Sequence, residues 1–235
     1  MNKFIRVKGL LGENALTKLQ ASSVLLFGVG GVGGFIAEAL VRTGLGNITV
    51  VDGDVVDESN INRQIIASTQ TIGLSKVEVI KQRLLSINPN LKIKTVNLFY
   101  LPENQGEIDF QGYDYVVDAI DTVSAKLTII EKAKTHQIKV ISCMGTAGKT
   151  QPSKLTVGDI YQTKDCPLAR VMRRELKKRG IKELKVVFST EQKKTENSLE
   201  QLSSTQRQKP PSTIFVPATA GLIVANEVVN DIINS

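Results

Sequence analysis

Short runs of β-branched and other apolar residues alternate, in the first half of the chain, with longer stretches of mixed polarity. The short runs predict strands over Val24–Phe27, Ile48–Val51, Ile93–Leu98, Tyr115–Val117 and Val140–Ser142. The longer stretches predict helices over Val32–Arg42, Ser75–Ile87 and Ser124–His136. Strands that alternate with helices of this length form βαβ units, so we predict an α/β fold with a doubly wound, mostly parallel sheet of the Rossmann type.

The pattern changes after Gly145, where we predict further strands and helices. The additional strands are expected over Leu155–Val157 and Val186–Phe188, and the additional helices over Pro167–Lys178 and Ile214–Ile233. The segment 191–212 is rich in Lys, Gln, Ser and Thr and has no apolar periodicity. Such a segment predicts a mobile loop.

The composition is that of an ordinary globular protein, with 41% hydrophobic and 23% charged residues among 235. The two cysteines, Cys143 and Cys166, are too few for a disulfide framework or a structural zinc site. This cysteine usage favours a reducing cytoplasm, and the N-terminal residues show no apolar stretch of the length that a signal peptide needs. The apolar region 214–229 is interrupted by one proline and two polar residues, which favours a buried helix over a membrane span.

A glycine-rich turn follows the first predicted strand and opens the first predicted helix. Its glycines are Gly28, Gly30, Gly31 and Gly33. Glycine at such a turn lets a phosphate approach the backbone, and the amides of the helix N-terminus face the anion. Asp52 ends the second strand, where an acid accepts hydrogen bonds from a ribose, and Asp54 is near enough to share that task. This pattern fits an NAD-dependent dehydrogenase equally well, and a glycine turn can also serve strand–helix packing alone.

Further polar residues lie at the predicted strand ends and favour ATP over a nicotinamide cofactor. They are Asn60, Arg63, Gln64, Lys76 and Asp121. Arg63 and Lys76 can neutralise charge on transferring phosphates, and Asp121 can hold Mg²⁺. A dehydrogenase has no use for this set but needs an acid or base at the hydride. The only histidine, His136, is expected at a helix end on the surface.

The motifs FGVGGVGG, VVDGDVVDESNINRQ, GLSKVEV, INP and DAIDT occur in the order and spacing that the ubiquitin-activating superfamily shows. The resemblance spans at least residues 6–148. It implies that Gly30, Gly31 and Gly33 face the phosphates, that Asp52 holds the ribose, and that Asp121 is the metal-associated acid. Asn60, Arg63, Gln64 and Lys76 match the residues around the triphosphate. Arg6 matches an arginine that reaches the ATP of a partner subunit, so a homodimer is implied.

Motifs outside the nucleotide core resemble the tRNA threonylcarbamoyladenosine dehydratases of this superfamily. They are Arg6…Leu11-Gly12, Gly145–Gly148, Pro167-Leu168-Ala169, Val187–Glu191 and Phe215-Val216-Pro217. The resemblance implies ATP activation of the carboxylate of threonylcarbamoyladenosine in tRNA and its cyclisation with loss of water. The alternative is an adenylyltransferase for the C-terminal Gly-Gly of a sulfur-carrier protein. The chain lacks Cys-x-x-Cys pairs and has no cysteine after Ser189, which counts against the alternative. We expect a single domain over 1–235, with a nucleotide-binding core at 1–150 and a substrate and dimer part at 151–235.

The predicted helix over Pro167–Lys178 is strongly basic, and the chain carries a net charge of +7. The residues that we expect to contact RNA phosphates are Arg170, Arg173, Arg174, Lys177 and Lys178. Charge runs are commonly solvated helix faces, and the resemblance to tRNA-modifying enzymes is what favours RNA here. Phosphate contacts position a nucleic acid without reading its sequence. With six such contacts, binding should fall with salt at a log–log slope of roughly −4 to −5.

Overall fold

The computed structural model describes residues 3–164, 166–192 and 211–235, which form a single seven-stranded sheet with helices on both faces. The strands are β1 (Ser23–Phe27), β2 (Asn47–Val51), β3 (Lys92–Val96), β4 (Tyr115–Asp118), β5 (Lys139–Cys143), β6 (Leu155–Asp159) and β7 (Lys185–Ser189). The helices are α1 (Ile5–Leu11), α2 (Glu13–Ala21), α3 (Gly33–Arg42), α4 (Lys76–Ile87), α5 (Val123–Thr135), α6 (Pro167–Lys178) and α7 (Phe215–Ile233).

The strand order is β3-β2-β1-β4-β5-β7-β6, and each neighbouring pair is parallel except β6 with β7. The order reverses between β1 and β4, because the chain builds outward from β1 to β3 and then returns to the other side of β1. A crevice opens at such a reversal, at the carboxyl ends of the strands, and open α/β sheets bind ligands there. The predicted doubly wound, mostly parallel fold is confirmed.

Two apolar layers cover the sheet, because neighbouring residues of a strand point to opposite faces. Val24 and Leu26 of β1 pack in one layer, whose helices include α3, α4 and α7. Leu25 and Phe27 pack in the other layer, with α5 and α6. Both layers are continuous along the sheet, so the strand ends that carry polar residues rest on a rigid base.

The predicted elements agree with the observed ones to within one or two residues at most ends. β3 stops at Val96 and not at Leu98, although the Leu98 amide still donates to the Asp52 carbonyl at 3.3 Å. Sequence patterns did not predict α1 and α2. None of the residues of α1 is buried and α2 buries only Leu16 and Leu19, so neither shows a full apolar stripe. Of the polar segment 191–212, residues 193–210 lie outside the described residues.

Helix α7 is the one described helix that is long and apolar enough, by length and composition, to cross a membrane. Half of that stretch is buried within the protein. Val216, Ala220, Val224 and Val228 are all buried, and Gly221 lets α7 approach α3 closely, since a Cβ there would lie 2.6 Å from the Val32 carbonyl oxygen. These contacts make α7 a core helix of the sheet layer, as the interrupted apolar pattern predicts.

Candidate active site

At two positions of the glycine-rich turn between β1 and α3, the backbone accommodates only glycine. Gly28 has a φ of +87°, and a Cβ there would lie 2.9 Å from the Ala119 carbonyl oxygen. A Cβ at Gly33 would lie 1.8 Å from the Gly28 carbonyl oxygen. The turn is therefore compressed between its own helix and the residues that follow β4. Its amides lie at the N-terminus of α3, where an anion is favoured.

Asp52 ties the end of β2 to the glycine turn. Its Oδ2 accepts a hydrogen bond from the Val29 amide at 2.8 Å, and its Oδ1 accepts one from the Asp54 amide at 2.9 Å. Each carboxylate oxygen can accept more than one hydrogen bond, so the ribose role predicted for Asp52 is compatible with these contacts. The same side chain thus also fixes the shape of the turn.

Lys76 and Asp54 form an ion pair at the first turn of α4. The Lys76 Nζ lies 2.6 Å from Asp54 Oδ2, and the Lys76 side chain is 6% exposed while that of Asp54 is 50% exposed. The Lys76 amide also donates to the Asp54 carbonyl at 3.0 Å. A cation that is buried in this way has little freedom to move, which suits a group that must meet phosphate charge at a fixed point.

The loop after β2 brings Asn60, Arg63 and Gln64 to the turn. Both the Arg63 and Gln64 amides donate to the Asn60 carbonyl, at 3.0 and 2.9 Å. A Cβ at Gly31 would lie 3.4 Å from Arg63 Cγ, and one at Gly30 would lie 3.8 Å from Gln64 Nε2. Arg63 and Gln64 therefore lie against the glycine turn, and the Asn60 carbonyl holds their backbone.

The side chains of this loop differ in how many of their polar atoms are already used. Asn60 is buried and its Oδ1 accepts from the Asp57 amide at 3.1 Å, capping a short 3₁₀ helix over Glu58–Asn60. Arg63 donates to the Ser59 carbonyl at 2.7 Å. Gln64 is buried, and its Oε1 has no hydrogen-bond partner within the described part of the chain. A buried polar atom without a partner is costly, so Gln64 Oε1 indicates a place for a ligand donor.

Asp121 is exposed in the loop between β4 and α5, at the carboxyl edge of the sheet. Residues 3–164, 166–192 and 211–235 contain no cluster of three or more His, Cys, Asp or Glu side chains that could hold a metal alone. A single carboxylate that is open to solvent does suit Mg²⁺ bound jointly with phosphate oxygens and water, since this ion keeps most of its waters. Asp121 therefore fits the magnesium role predicted for it.

Two features of this edge were not predicted from the sequence. Asp118 and Lys126 form a fully buried ion pair directly beneath the loop that carries Asp121. Phe99 is 62% exposed, and a Cβ at Gly53 would lie 2.7 Å from its ring, so the ring rests on the backbone between Asp52 and Asp54. A lysine inside an otherwise apolar helical stretch is the sequence signal for Lys126. An aromatic residue just after a strand is only a weak signal for Phe99.

Glu191 fastens the end of β7 to the turn after β5. Its carboxylate accepts from the amides of Thr150 and Gln151 at 2.9 to 3.1 Å, and Lys149 donates to its backbone carbonyl. Burial raises the pKa of Glu191, but these hydrogen bonds and the charge of Lys149 outweigh burial, so the pKa lies below its usual range. Where the described chain resumes after residue 210, the Ser212 carbonyl accepts a hydrogen bond from Asn62 Nδ2 at 2.8 Å.

The basic helix α6 has an apolar face of Ala169, Met172 and Leu176, all buried. Its cationic side chains differ in whether they already have hydrogen-bond or ion-pair partners within the protein. Arg173 is half-buried, and its Nη1 donates to the Thr163 carbonyl at 2.8 Å and to the Thr163 hydroxyl, so one nitrogen of its guanidinium already has protein partners. Arg174, Lys178 and Arg179 all pair with Glu175, whose pKa falls to about 2 because hydrogen bonds from Lys178 and Arg179 stabilise the carboxylate.

Arg170 and Lys177 are the exposed cations of α6 that have no hydrogen bond or ion pair within the described residues. Of the five residues predicted to contact RNA, these two are therefore the freest to meet phosphates. Arg6 is exposed on α1 and likewise has no partner in the described part of its own chain. The single chain does not bring Arg6 to the glycine turn through any described contact.

The two cysteines are buried, and the histidine lies on the surface at the end of a helix. Cys143 is buried in β5, and burial raises the pKa of its thiol to about 12, so it is no nucleophile at neutral pH. Cys166 is buried and its Sγ accepts from the Ala169 amide at 3.5 Å, capping α6. His136 ends α5 on the surface, as predicted, and its ring stacks on Phe110.

The doubly wound sheet, the glycine turn at its reversal point and the surrounding cations define a nucleotide-binding α/β protein. The chain belongs to the ThiF family, whose sequence model matches residues 3–234. It is 38% identical to the tRNA threonylcarbamoyladenosine dehydratase of Bacillus subtilis, over 99% of this chain and 95% of that protein. It also superposes on the Escherichia coli tRNA N6-threonylcarbamoyladenosine dehydratase in complex with AMP. That comparison gives a TM-score of 0.89 at 32% identity, over 99% of this chain and 94% of the other. The complex of the same enzyme with ATP gives 0.88.

Proposed function

We propose that this protein is an ATP-dependent enzyme that dehydrates N6-threonylcarbamoyladenosine in tRNA to its cyclic form. The observation that carries the proposal is the similarity over nearly the full length of both chains, in sequence and in fold, to dehydratases of that modified nucleoside. The E. coli enzyme was solved with ATP and with AMP, and the residues around the glycine turn here offer the groups that such nucleotides require.

The proposed reaction proceeds in two steps, activation of the carboxylate by ATP and closure of the ring. A carboxylate oxygen of the substrate attacks the α-phosphorus of ATP, and pyrophosphate leaves. The urea nitrogen N6 of the adenine then attacks the activated carbonyl carbon and loses its proton, which closes a five-membered ring and releases AMP. The net change in the nucleoside is the loss of one water, whose oxygen departs on AMP. Attack at the α-phosphorus follows from the resemblance to adenylating enzymes.

The residues at the turn have separate tasks in this scheme. The amides of the glycine turn and the Gln64 Nε2 donate to the phosphates, and Asp52 holds the ribose, with Asp54 beside it. Lys76 and Arg63 stabilise the negative charge that shifts between phosphate oxygens as the bonds exchange. Asp121 would hold Mg²⁺, which supplies positive charge to the phosphate oxygens when bound.

We further propose a cytoplasmic homodimer in which Arg6 reaches the nucleotide of the partner subunit, with α6 contacting tRNA. The support for the dimer is α1, which exposes Arg6 and two large apolar residues and buries none of its own. The second candidate function is activation of a Gly-Gly carrier tail. The lack of a cysteine after Ser189 and of Cys-x-x-Cys pairs disfavours it.

Nucleoside mass spectrometry of threonylcarbamoylated tRNA, incubated with the protein and Mg-ATP, tests the proposal. We expect a product lighter by one water, and its loss with Asp121→Ala or Arg63→Ala. Arg42→Ala is the matched control, since Arg42 pairs with Glu38 at the far end of α3 and should leave the reaction unchanged. No mass change in the wild type, together with ATP–pyrophosphate exchange only upon adding a Gly-Gly-tailed protein, would establish the second candidate instead.

A further inference from the structure

A lysine and an aspartate with no solvent exposure face each other beneath the candidate active site. Lys126 of α5 and Asp118, the last residue of β4, both have 0% exposed side chains, and the Lys126 Nζ lies 2.9 Å from Asp118 Oδ2. The ammonium also donates to the Ile120 carbonyl at 2.9 Å and to the Cys143 carbonyl at 3.0 Å. All three of its protons therefore have acceptors.

Asp118 is equally well satisfied. Its Oδ2 accepts from the Ser142 hydroxyl at 2.6 Å, and its Oδ1 accepts from the Ile120 amide at 3.3 Å. Removing both charges from water is unfavourable, and apolar side chains of the same volume would commonly hold a core together at least as well. Stability alone therefore explains the presence of this ion pair poorly. Its position at the strand ends, beneath the candidate active site, suggests a role in positioning that site.

The pair holds the loop after β4 in place from below. Ile120 uses its amide on Asp118 and its carbonyl on Lys126, so both backbone groups of the residue before Asp121 are fixed. From the other side the loop abuts the glycine turn, because a Cβ at Gly28 would lie 2.9 Å from both the Ala119 carbonyl oxygen and Ile120 Cγ2. The Ala119 amide also donates to the Phe27 carbonyl at 2.9 Å.

The geometry points to Lys126, held by Asp118, as a positioning residue that sets the place of the Asp121 carboxylate relative to the glycine turn. The inference rests on the proposed function, in which Asp121 holds Mg²⁺ beside the phosphates. Lys126 does not touch the nucleotide in this role; it acts through the Ile120 backbone. Through Cys143 it also ties the loop to the end of β5, where the Gly145–Gly148 turn begins.

The test replaces the pair with neutral groups of similar size, as Asp118→Asn with Lys126→Met, which leaves the net charge unchanged. Calorimetry measures ATP affinity with Mg²⁺ and, separately, in EDTA. We expect affinity in EDTA within about twofold of wild type, while the gain in affinity from Mg²⁺ falls about tenfold, because a misplaced ligand weakens a geometry-demanding ion. Lys185→Met is the control, since the ion pairs of Lys185 with Glu227 and Asp231 lie at the opposite end of the sheet.

A double-mutant cycle separates positioning from mere structure. In an Asp121→Ala background the paired replacement should change the Mg²⁺ effect by less than about twofold, because the residue on which it acts is already gone. A paired variant with an unchanged Mg²⁺ effect and only a lower unfolding temperature would overturn the inference. If that variant does not fold, Ser142→Ala decides, since it removes one hydrogen bond to Asp118. If Mg²⁺ raises the ATP affinity of Ser142→Ala as much as that of the wild type, the inference is overturned.

The failure of the proposed function would look different. A wild-type protein that binds Mg-ATP but leaves threonylcarbamoylated tRNA unchanged would refute the dehydratase assignment. The calorimetric comparison of the paired variant would still report on Lys126 in that case.

Discussion

Lys76 is buried at the first turn of α4, whereas its ion-pair partner Asp54 stays half exposed to solvent. We predict that Lys76→Met folds normally, because the methionine suits the buried site and the unpaired Asp54 carboxylate remains hydrated. The variant should lose roughly 10²- to 10³-fold in kcat, the range found when one preorganised donor to a developing charge is removed. Steady-state release of pyrophosphate, at saturating ATP and tRNA, measures this loss.

Asp54→Asn is the matched control for Lys76. It breaks the same ion pair from the exposed side and keeps the lysine, so we expect less than a tenfold loss in kcat. Equal losses in both variants would mean that the pair acts as a unit and that Lys76 has no separate role toward phosphate. An unchanged kcat in Lys76→Met would remove Lys76 from the chemistry altogether.

Residue types could be predicted at the site, but their connections could not. The sequence places Lys76 and Asp54 far apart, and nothing in the spacing reveals that the two side chains meet at 2.6 Å. Asn60 was predicted as a nucleotide contact, yet its Oδ1 caps a 3₁₀ helix. Asp118 and Asp121 look alike in the DAIDT motif. Only the packing of α5 shows that Asp118 is buried against Lys126 and that Asp121 is open.

Among the secondary-structure elements, α6 carries the prediction for RNA. Arg170 and Lys177 are its exposed cations without described partners, whereas Arg173 and Arg174 already bond to Thr163 and Glu175. Replacing Arg170 and Lys177 together by Glu should weaken tRNA binding and lower the log–log salt slope by about 1.4 to 1.8, as expected for two lost phosphate contacts. Filter binding or fluorescence anisotropy across a salt series measures both quantities.

The control for α6 makes the same change of charge at the other edge of the sheet. Lys92 and Lys94 are exposed on β3, and their replacement by Glu also lowers the net charge by the same amount. If that variant loses as much tRNA affinity as the α6 variant, binding depends on the overall charge of the protein and α6 is no specific contact. ATP affinity should stay unchanged in both.

Elements with a complete apolar pattern were predictable, and those without one were not. β1 and β4 read directly as strands because four successive residues of each are buried. α7 shows buried positions along its whole length and was predicted to within a residue. α1 has no buried residue at all, so its helix is not visible as a periodic pattern in a single sequence. The antiparallel placement of β6 beside β7 likewise depends on tertiary contacts.

At the scale of the whole molecule, Arg6 is a predicted nucleotide contact that has no described contact with the glycine turn of its own chain. Arg6 lies on α1 beside Ile5 and Leu10, whose side chains are 64% and 84% exposed. A short helix with large exposed apolar side chains, and with an arginine that has no partner among the described residues, is the surface expected of a subunit contact. We predict that light scattering gives twice the 25.6 kDa mass of one chain, and that Leu10→Glu shifts it toward the monomer.

A heterodimer of two inactive chains tests whether Arg6 acts across the subunit boundary. In a dimer of an Arg6→Ala chain with a Lys76→Met chain, the first chain keeps its own Lys76 and receives Arg6 from the second. One of the two sites is then complete, so about half of wild-type activity should return. If Arg6 serves its own chain, both sites are defective and no activity returns.

The matching control pairs Lys76→Met with Asp121→Ala, tagged and purified in the same way. Both changes lie in residues that a chain uses for its own nucleotide, so each site keeps one defect and activity should stay absent. Recovery in this control would mean that Lys76 or Asp121 also acts across the subunit boundary, and the result with Arg6→Ala would then not be specific to Arg6. Recovery only with Arg6→Ala would mean that a complete site needs two chains, because the turn, Lys76 and Asp121 come from one subunit and Arg6 from the other.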